Sequence, residues 1–90
     1  MSISEASSTL RRVMNDCAYD FGSTSYQDRC EGISVDYSGS TIYVTVSMYV
    51  VDRCYKEEVY DNISSTVRSI CSQYGIPYNI NLKVNYSFKY

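Results

Sequence analysis

The chain has no histidine and no tryptophan, and a single proline, Pro77. Without histidine, a Ser or Cys nucleophile lacks the imidazole that most often takes its proton. No Walker pattern, Gly-rich phosphate loop or Gly-x-Ser-x-Gly element occurs either. The four cysteines, Cys17, Cys30, Cys54 and Cys71, lie 13, 24 and 17 residues apart, a spacing that matches no Cys-x-x-Cys or zinc-knuckle pattern. The sequence therefore predicts a domain that binds rather than catalyses, with no metal and no cofactor.

Long apolar runs are also missing. No stretch approaches the roughly 18 uninterrupted apolar residues of a membrane span. The start, Met1-Ser2-Ile3-Ser4-Glu5, has no basic segment leading into an apolar one, so no secretory signal is expected. A cytoplasmic protein with reduced, buried thiols follows as the expectation, one that meets a membrane only through a partner.

Acidic residues are absent from the last third. All ten lie in residues 1–61, whereas residues 62–90 carry only Arg68, Lys83 and Lys89 as charges. That mild basicity, within a net charge of −2, falls far short of the dense basic patch of a dedicated nucleic-acid binder.

Ninety residues suffice for one core and not for two, so residues 1–90 are expected to form a single domain. Eleven of the thirteen aromatics are Tyr, beside Phe21 and Phe88. Tyr sits half in a core and half in water, which suits faces and rims.

Ser2-Ile3-Ser4-Glu5 reads as a capping box. Leu10, Val13, Met14, Cys17 and Phe21 follow at helical steps, predicting a first helix that ends at Gly22. Residues 23–31 read as a loop. Ile33-Val35-Tyr37 and Ile42-Val44-Val46-Met48-Val50 alternate on either side of Ser38-Gly39-Ser40, a hairpin signal. From Asp52 to Tyr74 the period changes. Val59, Ile63, Val67, Ile70 and Tyr74 mark a second helix, opened by Asp52 as cap and closed by Gly75 and Pro77. A last strand alternates Ile80, Leu82, Val84, Tyr86, Phe88 and Tyr90 against Asn79, Asn81, Lys83, Asn85, Ser87 and Lys89.

The predicted fold is α+β: a two-layer α-β-β-α-β sandwich with a three-stranded mixed sheet and both helices on one face. Val44, Val46, Val67, Ile70, Leu82 and Val84 are expected to form its core. The run from Tyr37 to Val51 has no charge and no proline. If the first strand is central, that run is an unprotected sheet edge; the alternative puts the second strand in the centre.

The element order, together with Ile3-Ser4-Glu5, Gly32-Ile33-Ser34-Val35 before a Gly turn, Val46-Ser47-Met48-Tyr49-Val50-Val51, the Val59, Ile63, Val67 helix running into Gly75-Ile76, and Asn81-Leu82-Lys83-Val84, resembles the ring-building and alkaline-shock-protein-type envelope-stress domains of Gram-positive bacteria. The Tyr content is higher than in that family. The resemblance implies a non-enzymatic scaffold in a stress response that self-associates or docks on a membrane-anchored partner, and it supplies no catalytic residues.

The candidate site is the sheet face away from the helices. Tyr43, Thr45, Ser47, Tyr49, Asn81, Lys83, Asn85 and Lys89 are expected there as a polar, aromatic platform for a protein surface. Single-stranded nucleic acid stacking on the same rings is the alternative, and an ordinary solvated face with good strand formers is the plain one. A small phage-encoded inhibitor or adaptor fits the same surface. Two side readings complete the inventory. Cys54, beside Arg53 near a helix start, is the best candidate for a lowered thiol pKa. Glu57 and Asp61, four apart on one helix face, could hold a weak divalent ion or form an acid/base pair; the plainer reading is acids placed where a helix start favours them.

Overall fold

A computed structural model describes residues 1–23 and 27–90. The elements run α1 (Ile3–Asp16), a 3-10 turn (Ala18–Asp20), β1 (Arg29–Ser38), β2 (Thr41–Val50), a second 3-10 turn (Arg53–Tyr55), α2 (Lys56–Tyr74) and β3 (Asn79–Phe88). This is the α+β order expected, with both helices over one face of a three-stranded mixed sheet.

The helix starts follow from their caps. The Ser2 hydroxyl oxygen accepts from the Glu5 N–H at 3.1 Å and donates back to the Glu5 carboxylate, which satisfies one of the free donors of the first turn. α1 stops at Asp16, five residues short of Phe21. The Cys17 N–H is shared between the carbonyls of Val13 and Met14, and Asp20 and Phe21 then bond back in 3-10 fashion to Cys17 and Ala18. That tightening turns Phe21 inward, fully buried. Asp52 caps the 3-10 turn by accepting from the Cys54 N–H at 2.9 Å, so α2 begins at Lys56 rather than at Asp52. Gly75 closes α2 with a φ of 63° and Gly39 opens the β1–β2 hairpin with a φ of 61°, left-handed values that side-chain-bearing residues avoid.

The sheet order is β1-β2-β3, with β1 antiparallel and β3 parallel to β2. β2 is therefore central, and the reading of its uncharged run as a sheet edge is overturned. A strand paired on both sides needs no charge to protect it. β1 also starts earlier than expected, at Arg29, so the loop read over residues 23–31 is shorter. Residues 24–26 of it lie outside the described residues. Glu31 is the extra residue of a bulge between Cys30 and Gly32, which breaks the alternation that would have revealed the strand.

One core joins both helices with β1 and β2: Leu10 and Met14 from α1, Phe21, Val35, the even-numbered residues of β2, and Val59, Ile63, Val67 and Ile70 from α2. Val44, Val46, Val67 and Ile70 lie in it as expected. Leu82 and Val84 do not: they are half-buried and pack against its rim, because β3 is an edge strand and nothing covers its outer side.

Candidate functional site

The sheet face away from the helices assembles in cross-strand rows. Asp36, Tyr43 and Asn81 form one row, Ser34, Thr45 and Lys83 the next, then Gly32, Ser47 and Asn85, then Arg29, Tyr49 and Ser87. Seven of the expected platform residues therefore share one face. Lys89 lies past the end of β3; its N–H donates to the Val50 carbonyl at 3.3 Å and its ammonium sits over the Tyr90 ring.

One end of this face is satisfied within itself. The Arg29 guanidinium covers the Tyr49 ring at 4.2 Å and pairs with Glu31 at 3.8 Å, while Glu31 accepts from the Ser87 hydroxyl at 3.2 Å. The β1 bulge thus lets Glu31 reach across to β3. Arg29 and Lys83 share the face with Glu31 and Asp36, so no continuous basic track crosses it, and one side of the Tyr49 ring is covered by Arg29 while Tyr43 stays exposed.

The two sheet edges differ. On β1 the bulge breaks the register and the Arg11 side chain of α1 occupies the Val35 carbonyl at 2.7 Å. β3 runs ten residues in unbroken register with β2, without a bulge or proline and with Lys83 as its only charge. The Asn79 N–H donates to Ser40 at the strand's start and the Lys89 N–H to Val50 just past its end. Main-chain direction alternates along a strand, so odd-numbered residues face β2. The N–H and C=O groups of Ile80, Leu82, Val84, Tyr86 and Phe88 therefore point outward from the sheet.

The same five residues carry the apolar ladder, and all five are half-buried. Between them and α2 runs a groove. Its upper part, a cleft of about 510 Å³, is lined by Lys56, Glu57, Tyr60, Asp61, Val84 and Tyr86. Its lower part, about 300 Å³, lies among Tyr60, Ser64, Val67, Arg68, Cys71, Tyr78, Ile80 and Leu82. Tyr86 and Phe88 stack at 5.6 Å, flanked by Lys56 over the first ring and Arg53 over the second. Burial, then the neighbouring Tyr60 and Asp61, pushes the Tyr86 phenol up, and burial pushes the Cys71 thiol up.

The sequence reading missed this groove, although its ladder was visible as an alternation. Strand order concealed that one side of the ladder is open. Cys54 is also corrected. Its thiol is raised rather than lowered, by desolvation and then by its hydrogen bond to Asp52 and the charges of Asp52 and Glu58. Glu57 and Asp61 face the groove, where no third ligand joins them: among the described residues no group of three His, Cys, Asp or Glu comes together. No helix among the described residues is long and apolar enough to cross a membrane. No protein-family model, curated protein or solved structure matches the chain.

Proposed function

We propose that this domain is a non-enzymatic protein-interaction module that receives an extended protein segment along β3. The observation that carries the reading is the coincidence on one strand of outward main-chain groups and a half-exposed apolar ladder, both at Ile80, Leu82, Val84, Tyr86 and Phe88. A segment added as a fourth strand would take its affinity from main-chain hydrogen bonds and its specificity from alternate side chains entering the groove under α2. The contrast with β1, whose edge is closed by a bulge and by Arg11, supports β3 as the used edge. The scaffold role implied by the envelope-stress resemblance is compatible with this mode of contact, as is an adaptor or inhibitor that docks on a larger protein.

The test is site-specific photo-crosslinking in the cells that make the chain, with the reactive side chain placed at Leu82 in the groove, at Tyr43 on the open sheet face, or at Arg12 on the outer side of α1. Discrete protein adducts from Leu82 alone are expected. Adducts concentrated at Tyr43 would move the contact to the open face, and their absence from Leu82 and Tyr43 alike would end the reading.

A further inference from the structure

We infer that the segment received by β3 is the β3 of a second copy of this chain, paired antiparallel about a two-fold axis through Val84. The inference rests on the interaction reading above and adds the partner and the register.

Three features select this occupant. First, directly opposed residues in an antiparallel pair share a sheet face, so the axis must pass through a residue rather than between two. Through Val84, the ladder matches itself: Val84 meets Val84, Leu82 meets Tyr86, and Ile80 meets Phe88 of the other copy. Second, those are the residues whose N–H and C=O groups point outward, so each opposed pair exchanges two main-chain hydrogen bonds. An axis through Lys83 would satisfy the same outward main-chain groups but would oppose two ammonium groups directly across the pair. With the axis at Val84, Lys83 faces Asn85.

Third, the charges along α2 are complementary under the same symmetry. Glu57 and Asp61 overhang the Val84–Tyr86 half of the groove, and Arg68 overhangs the Ile80–Leu82 half. Among the described residues none of the three forms an ion pair within its own chain. Antiparallel pairing places Arg68 of each copy over the half that carries Glu57 and Asp61 in the other, twice by symmetry. The result is a continuous six-stranded sheet in which the two grooves merge into one apolar trough under antiparallel α2 helices.

Register-specific cysteines test the geometry in a Cys54→Ser background, which removes the exposed native thiol. Val84→Cys should form a disulfide with its own copy, since opposed hydrogen-bonded residues stand about 5.5 Å apart at Cα, within disulfide range. Leu82→Cys alone should not, because its counterpart in the second copy lies about 14 Å along the strand; mixed with Tyr86→Cys it should. The pair Lys83→Cys and Asn85→Cys, on the wet face, repeats the test if a groove variant fails to fold. Light scattering over a concentration series should show a dimer, about tenfold weaker for Arg68→Glu. A folded Val84→Cys protein that does not cross-link, or Leu82→Cys cross-linking by itself, overturns the register. A strict monomer whose Leu82 photo-adduct is a different protein overturns the second copy as occupant and leaves the interaction reading standing; a monomer with no adduct at Leu82 or Tyr43 removes both.

Discussion

The guanidinium of Arg11, on α1, donates to the main-chain carbonyl of Val35, on β1, at 2.7 Å. One hydrogen bond thereby joins the helix layer to the sheet and occupies an acceptor that an incoming strand would need. β3, at the other side of the sheet, has no such device. The two edges of this small sheet are unequal because of one long side chain and one extra residue, Glu31, and that inequality leaves β3 as the edge open to an added strand.

Removing the guanidinium should be felt in stability. Arg11→Ala leaves the part-buried Val35 carbonyl without its charged donor, at a cost of about 1–2 kcal/mol. In a domain of this size that lowers the melting temperature by roughly 4–8 °C per kcal/mol. Arg12→Ala, on an exposed position with no bond to lose, should stay within about 0.5 kcal/mol of wild type. Equal melting of the two variants would show that the Arg11 bond contributes nothing.

Ser7 offers the opposite sign. It is 2% exposed and its hydroxyl has no hydrogen-bond partner among the described residues. A buried, unpaired hydroxyl costs about 1–3 kcal/mol, and α1 favours Ala over Ser at an interior position. Ser7→Ala should therefore raise the melting temperature by several degrees, read by circular dichroism at 222 nm, whereas a fall would mean that the hydroxyl is satisfied in solution.

Asp28 sets an acid limit. Burial works against its charge, but hydrogen bonds from the Ser23 side chain and from the Val51 and Ser23 N–H groups hold its carboxyl below the ordinary value. The Val51 and Ser23 main-chain bonds are both 2.8 Å; the first clasps the start of β1 to the end of β2, and the second ties it to the segment after the 3-10 turn. A depressed folded pKa gives stability that is fully present above the unfolded Asp value of about 3.9 and is lost as pH falls through the folded one. Asp28→Asn should thus cost about 1–3 kcal/mol at pH 7, with the gap to wild type closing in urea titrations below pH 4. A gap independent of pH would exclude the carboxylate as its source.

Cys54 should react late for an exposed thiol. Desolvation, the bond to Asp52 and the acids Asp52 and Glu58 raise its pKa, so the alkylation rate should climb only above the roughly 8.5 of an ordinary cysteine. Asp52→Asn keeps an oxygen for the Cys54 N–H and removes the charge. It should move the rate profile to lower pH, and an unchanged profile would leave the acids without influence.

Helices, hairpin and the open-face rows were legible because periods of 3.6 and 2 record which side of an element is apolar. Tyr43, Thr45, Ser47 and Tyr49 fall on one face by alternation alone. What alternation does not encode is how many neighbours a strand has. β2 and β3 carry equally regular patterns, yet Val46 is fully buried whereas Val84 is half-exposed. Three-dimensional order decides that difference, and so the groove stayed hidden. The first residues of β1 were illegible for another reason: the Glu31 bulge shifts the period by one, so Arg29 and Cys30 read as loop.

Leu10 and Leu82 measure that difference in energy. Leu10 is wholly buried among α1, the sheet and α2, and Leu82 packs against the core from its rim. Leu10→Ala loses the full transfer term and leaves a cavity, about 2–5 kcal/mol. Leu82→Ala in the single chain loses only part of its burial and opens onto an existing groove rather than leaving a closed cavity, so roughly 1 kcal/mol is expected from the area term. The two should also differ in concentration dependence. The Leu10 variant should be destabilised equally at low and high protein concentration. If β3 pairs as proposed, the Leu82 variant should lose more at high concentration, because the missing side chain removes contacts with a second copy. Urea unfolding at two concentrations a hundredfold apart reads both effects, and a Leu82→Ala deficit as large as that of Leu10→Ala in dilute solution would mean that β3 is buried within the single chain.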